Sequence, residues 1–425
     1  MAELRQKAQR VVVLGAGFGG IEAARALARA PADVTIIDKQ NHHCFQPLLY
    51  QVATAALSPA DVAWPIRHIF RRQANATVLM AEVRGVDTAR RIVHTDAIDV
   101  PYDYLVLATG AAHSYFGHDE WADAAPGLKR IEDATRIRRR ILIAFERAEL
   151  AAVETERRRL LTFVIVGGGA TGVEMAGAIA EVARQTLAMD FRHIDPRSAR
   201  IVLIEAGPRV MPNLPENLSD YVRRMLARKG VEVMTATRVI GCDMHGVDVE
   251  HGRIDAATII WAAGVVASPA AQWLGAEHDR AGRVKVGRDL SVPGHAEIFA
   301  LGDTAAATDR TGRPVPGVAP AAKQMGRYVG RLIAARLAGR TSNQPFDYHH
   351  EGDLATIGRR SAVVKLGRME LTGFLGWLFW CVVHIYFLVE VRDRFIIAFT
   401  WAWDYVTFQR GARLITEVPR EDRDR

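Results

Sequence analysis

The chain has 425 residues, enough for two or three packed domains, and its 49% hydrophobic and 24% charged residues are those of an ordinary folded protein. The formal charge of +7 reads mainly as solvated surface, with attraction to an anionic membrane or to nucleotide phosphates as the alternative. Cys44, Cys242 and Cys381 stand far apart without a CxxC pair, which excludes a disulfide framework, argues against zinc and suits a reducing compartment.

The first residues, MAELRQKAQR, are charged and run straight into a strand, so no signal peptide is expected. Val11–Leu14 is an apolar, mostly β-branched run of the kind a buried parallel strand requires. It feeds Gly15-Ala-Gly17-Phe-Gly-Gly20, a helix-prone stretch of small residues, and a second strand ending at Asp38. That order is the dinucleotide-binding unit. Gly15 permits the tight turn, Gly17 admits a pyrophosphate, and Gly20 lets the helix lie close on the strand. Asp38 is placed to accept from an adenosine ribose, with Lys39 beside it on the same nucleotide. His42 and His43 follow and read as hydrogen-bonded structural residues; Cys44 reads as a packed thiol.

The strand DYLVLATG ends at Thr109 and Gly110 and is expected to close this sheet beside the nucleotide. Residues 116–159 are charged and helix-prone and read as a helical linker. A second copy of the pattern then appears, with Gly167, Gly169 and Gly172 at the glycine positions and Glu205 ending the next strand. QTLAMDFRHIDPRS is an insertion between that helix and that strand. A carboxylate at this strand end repels a 2′-phosphate, so NADH is expected here in preference to NADPH, and Arg209 reads as surface charge. Thr171 and Glu174 have the spacing of a capping box, and Glu22 stands at the same offset from the first turn. ATIIWAAG, ending at Ala263 and Gly264, repeats the closing strand. In AEIFALGDTA, Asp303 is placed to bind a ribityl chain, which after two dinucleotide units points to FAD. One resident and one exchangeable dinucleotide suit hydride transfer between nicotinamide and flavin.

Leu371–Val389 carries no formal charge, and FIIAFTWAWDYVTF follows it, with Arg368, Arg392 and Arg394 on the flanks. Three readings stand: a single transmembrane helix, an apolar helix buried in a dimer interface, or an interfacial anchor rich in Trp and Arg.

Together these residues resemble the two-dinucleotide-binding-domain flavoproteins, and within them the type II, non-proton-pumping NADH:quinone oxidoreductases. The likeness spans nearly the whole chain. It is carried by DKQNHHCFQPLLYQVATAALSP, GGGATGVEMAGA, IEAGPRVMP, WAAGV, LGD and the C-terminal LTGFLGWLFWCVVHIYFLVEVRDR. The resemblance implies an α/β fold of two Rossmann-like domains: FAD on residues 1–115 and 285–345, NADH on 160–284, and a membrane-associating, dimerising region at 346–425. It implies catalytic roles near the quinone for Glu174 and Gln324, flavin contacts for Ala319 and Lys323, and a homodimer attached peripherally to the cytoplasmic face of the cell membrane. In PGVAPAAKQMG, Pro320 stands where relatives often have glutamine. No nucleic-acid partner is expected.

Disulfide reductases share both glycine turns but need two neighbouring cysteines, which Cys44 lacks; sulfide:quinone oxidoreductases also need positioned cysteines. A soluble reductase of an iron–sulfur protein is one alternative, against which the C-terminal segment argues. A membrane-bound, non-enzymatic redox sensor that binds NADH and FAD to recruit partners is the other alternative, against which two complete nucleotide sites argue for turnover.

Overall fold

The computed structural model describes residues 8–340, 344–388, 391–407 and 411–415. The chain forms two compact units: Met1–Cys44 with Trp64–Ala112 and Val265–Glu351, and Phe45–Ala63 with His113–Gly264 and Gly352–Arg425.

The first unit is built on a six-stranded sheet in the order Ser291–Val292, His295–Ala300, Tyr104–Leu107, Gln9–Leu14, Ala32–Asp38, Ala76–Met80. All pairings are parallel except at the Ser291 edge. Alternation along the central strand serves two cores. Val11 and Val13 pack with Ile36, Val106 and Phe299 on one face, while Val12 and Leu14 pack with Ile37, Leu105 and Leu107 on the other. The helix Phe18–Ala26 lies against Ala319–Leu337 with backbones almost touching, since a Cβ at Gly326 would stand 2.1 Å from the Gly19 carbonyl oxygen. Residues 265–284, grouped by sequence with the second glycine turn, pack here: Ala270, Ala271 and Val284 join the core of the first sheet.

The second unit carries a parallel four-stranded sheet in the order Val231–Met234, Arg200–Ile204, Thr162–Val166, Thr258–Trp261. Val164, Val202 and Ile259 form its core with Tyr115 and Trp121. The charged stretch after residue 130 is helix over Ile131–Leu150 and Glu154–Leu160, burying Ile137, Ile141 and Phe145. The helix Ala170–Glu181 ends in a π turn at Val182–Thr186. Across it lies an antiparallel sheet of Asp353–Gly358, Ser361–Leu366 and Met369–Thr372, which approaches so closely that a Cβ at Gly177 would meet the Ile357 carbonyl at 2.2 Å.

Two C-terminal helices follow, Gly373–Phe387 and Val391–Thr407. Among the described residues no helix is long and apolar enough to cross a membrane, so the transmembrane reading has no such helix behind it. The first helix stops because Leu388 is extended, and residues 389–390 lie outside the described ones. Its inward row is Gly376, Trp380 and His384, while Phe374, Leu378, Val382 and Tyr386 form an outward row 47–67% exposed. Phe395, Phe399 and Trp403 are exposed on the second helix. Arg394 donates to the Leu388 carbonyl at 3.0 Å, and the side chain of Arg392 lies outside the described residues.

Candidate active site

In the first unit the glycine turn leaves the central strand with Gly15 at φ +95°, held by Gly15 N–H donating to the Ile37 carbonyl at 2.7 Å. A Cβ at Gly20 would stand 1.8 Å from the Gly15 carbonyl oxygen, whereas one at Gly17 would meet nothing within 4 Å. The helix starts there, with Gly17 as N-cap and no side chain capping it, so its first N–H groups are suited to hold an anion. Asp38 is pinned by two backbone donors, Ala16 N–H to Oδ2 at 2.7 Å and Gln40 N–H to Oδ1 at 2.8 Å. Burial nonetheless pushes its carboxyl above the usual range.

Around this cradle Lys39 is exposed. Gly110, at φ +69°, faces open space and its N–H donates to Thr304 Oγ1 at 2.9 Å, while Thr109 Oγ1 and Ser268 Oγ are 2.5 Å apart. Asp303 sits in the turn Gly302–Thr304, close enough to Gly317 that a Cβ there would be 2.9 Å from Oδ1. Ala319 opens the long helix, and Lys323 lies 5.2 Å over the Phe18 ring with its ammonium pKa lowered by burial. His43 is structural: its Nδ1 pairs with the Ala16 carbonyl at 2.9 Å, its ring packs between Phe18 and Trp64, and burial lowers its pKa to about 4.

The second unit repeats the cradle. Gly167 is at φ +110°, a Cβ at Gly172 would be 1.8 Å from the Gly167 carbonyl oxygen, and Gly169 again faces open space. Glu205 is held as Asp38 is, by Gly168 N–H to Oε2 and Gly207 N–H to Oε1, both 2.6 Å. Ala263 and Gly264 end the neighbouring strand, with Gly264 at φ +73° against the Phe116 ring. Arg209 turns to the Pro212 carbonyl. In each unit a donor-lined opening and a fixed carboxylate match the polar ends of an adenine dinucleotide. The residues fit the group.

Glu174 departs from the capping reading. The glycine turn itself starts the helix, with Gly169 as N-cap and no side-chain cap, so Thr171 is already inside the first turn and Glu174 beyond it. Glu174 lines a pocket within the second unit, whose mouth opens to solvent. Thr356 N–H reaches Oε1 at 3.4 Å, and burial lifts the pKa to about 8. Its polar lining also includes Tyr50, Gln51, Glu181, Gln185 and Arg359, and Trp380, Cys381 and Trp401 come from the C-terminal helices. Glu181 is already satisfied by Lys229 Nζ at 2.8 Å and Arg359 N–H at 2.5 Å.

Gln324 is not among the pocket's lining residues. It belongs to the first unit, where its amide donates to the His349 carbonyl at 2.9 Å and accepts from His349 N–H at 3.0 Å. Tyr50, Gln51 and Trp401 escaped the sequence reading. Their signal was a polar pair inside the apolar run PLLYQVA and a tryptophan doublet near the end of the chain.

Residues 9–326 match the pyridine nucleotide-disulphide oxidoreductase family, and the paired cradles define an oxidoreductase of that class. The chain is 42% identical over 423 residues to a type II NADH:quinone oxidoreductase of Mycobacterium tuberculosis, covering 96% of this chain and 90% of that protein. It is 44% identical over 424 residues to a second such protein of the same organism, covering 96% and 89%. The solved structure of Plasmodium falciparum NDH2 in complex with NADH shares the fold, with a TM-score of 0.86 over 97% of this chain and 100% of that one, at 22% identity. The chain belongs to the type II NADH:quinone oxidoreductases.

Proposed function

We propose that this protein oxidises NADH and reduces a quinone, with FAD held on the first glycine turn and NADH docking on the second. The observation that carries the reading is the pair of matched cradles, Gly15–Gly17–Gly20 with Asp38 and Gly167–Gly169–Gly172 with Glu205, in a chain that also carries a pocket walled by its C-terminal helices. Bound FAD supplies the redox chemistry, taking a hydride from NADH and giving two electrons onward.

The residues of the chain bind and position. Asp303, Thr109, Gly110, Ala319, Lys39 and Lys323 complete the flavin site, and Ala263 and Gly264 the nicotinamide side. Glu205 selects a free 2′-hydroxyl. A hydride brings two electrons and one proton, so forming a quinol takes one further proton. Glu174 is assigned that proton, because burial keeps its carboxyl protonated at neutral pH. Gln324 is assigned a supporting role toward the acceptor; its contacts with the His349 backbone give that role less support than Glu174 has.

The outward apolar row of Gly373–Phe387 supports peripheral attachment to a membrane, where a lipid-soluble acceptor resides; we place that contact on the cytoplasmic face, with a homodimer through the same region. Electron transfer is not coupled to proton pumping in this reading. The test is to fill the pocket: Ala178→Leu, on its wall, should stop quinone reduction while NADH still bleaches the flavin. Unimpaired quinone reduction in that variant would move the acceptor elsewhere.

A further inference from the structure

One hydrogen-bond chain on the pocket wall has a direction that chemistry fixes. Trp401 Nε1 lies 2.8 Å from Gln51 Oε1, and Gln51 Nε2 lies 2.8 Å from the Tyr50 hydroxyl. An indole N–H can only donate, so it decides which end of the Gln51 amide faces it. The amide must then present its NH₂ to Tyr50, and the phenol oxygen must accept. The phenolic proton is therefore not spent within the chain. Tyr50 is buried, 7% exposed, and lines the pocket together with Gln51 and Trp401.

We propose that Tyr50 is a substrate-orienting donor, giving its hydroxyl hydrogen to a carbonyl oxygen of the quinone, and that Gln51 and Trp401 are positioning residues that hold it in the donating sense. The inference rests on the reading of this pocket as the acceptor site. Three further observations support it. Burial, reinforced by Glu174, pushes the Tyr50 phenol well above its ordinary value, so it keeps its proton at any working pH. Trp380, edge-on to Tyr50 at 6.4 Å and also on the pocket wall, has an indole N–H that is buried with no acceptor among the described residues. The Tyr50 hydroxyl and the Trp380 indole N–H thus give this part of the wall two unspent donors, which suits a ligand whose polar atoms accept, and a quinone's two carbonyls are of that kind. Finally, Trp401 belongs to the last described helix, Val391–Thr407, which exposes Phe395, Phe399 and Trp403. The helix that offers an apolar surface to lipid therefore also sets the donor of the acceptor site.

The test uses the holoenzyme with a water-soluble short-chain quinone, so that membrane attachment is not in play. Tyr50→Phe keeps the ring and deletes the hydroxyl. Its KM for quinone should rise about 3- to 10-fold, the loss of one uncharged hydrogen bond, with kcat changed much less. Trp401→Phe should raise KM in the same direction, and in the Tyr50→Phe background it should add nothing, since it acts through the phenol. An unchanged quinone KM in Tyr50→Phe overturns the proposal, as does a Trp401→Phe effect that persists undiminished without the hydroxyl. Bleaching of the flavin by NADH certifies that each variant is folded and loaded. Ala178→Leu separates the two levels. If filling the pocket blocks quinone reduction but Tyr50→Phe is silent, only this inference fails; if neither matters, the acceptor-site reading fails with it.

Discussion

Thr356 N–H reaches Oε1 of Glu174 at 3.4 Å, a long contact, and among the described residues no basic side chain stands within ion-pair distance of that carboxyl. Glu22, at the same offset from the first glycine turn, is instead paired with Arg327 Nε at 2.6 Å and Arg25 at 3.5 Å. Equal positions in the repeated motif thus hold a charge-paired, largely covered acid in one unit and a pocket acid without an ion-pair partner among the described residues in the other.

The consequence is a pH dependence with a definite sign. With its pKa raised to about 8, Glu174 is protonated at neutral pH and loses its proton as pH rises through that value. Quinone-limited turnover should therefore fall on the alkaline side with a midpoint near 8. Glu174→Gln should abolish that limb and cost about 100-fold in quinone-limited kcat, while NADH still bleaches the flavin.

Stability follows the same linkage. A carboxyl whose folded pKa is raised binds more protons folded than unfolded between the ordinary carboxyl range and about 8, so the wild type loses stability as pH climbs through that window. Glu174→Gln removes the penalty. Denaturant melts at pH 5 and pH 9 should show the variant gaining on the wild type only at the higher pH.

The glycines of each turn should separate by what a Cβ meets. Gly172→Ala puts a methyl 1.8 Å from a backbone oxygen that the central strand holds in place, and should prevent the second unit from folding normally. Gly169→Ala points into open space and should fold with wild-type melting behaviour. Its methyl occupies the approach of the pyrophosphate, so KM for NADH should rise about 10- to 100-fold. Thermal melts beside NADH titrations decide it.

Glu205 is held by the N–H groups of Gly168 and Gly207, and the proposed function gives its carboxylate the choice of nucleotide. Glu205→Gln should lower kcat/KM for NADH about 10- to 100-fold, the loss of charge-assisted hydrogen bonding. NADPH should lose less, and the ratio of the two kcat/KM values measures the shift.

Much of this was legible in the sequence because glycine turns and their terminal acids are local. The tight φ of Gly15 and Gly167, the open faces of Gly17 and Gly169, and the strand-end carboxylates all follow from spacing within one βαβ unit. The pocket was not legible in the same way. It gathers Tyr50 from one segment, Glu174 from another and Trp401 from the last helix, and nothing in spacing reports on pairs so far apart. The capping-box spacing of Thr171 and Glu174 is not realised, because the helix already starts at Gly169, and spacing alone does not locate that start. Gln324, placed near the quinone by resemblance, has its amide engaged by His349 within the first unit, a contact that spacing along the chain does not report.

On the first C-terminal helix, Leu378 and Val382 are 47% and 60% exposed, an outward apolar pair one turn apart. If that row meets lipid, Leu378→Asp with Val382→Asp should weaken binding to anionic vesicles by roughly 10-fold or more per residue. Reduction of a water-soluble quinone should be unaffected. Flotation of the protein with vesicles reads the first effect, and a soluble assay the second.

The most direct test of the central claim is anaerobic. Purified protein is mixed with NADH while the flavin absorbance is followed, and a short-chain quinone is then added. The account predicts stoichiometric bleaching by NADH and prompt recovery on quinone. A bound flavin that NADH never bleaches, or a bleached flavin that quinone leaves reduced, would contradict it.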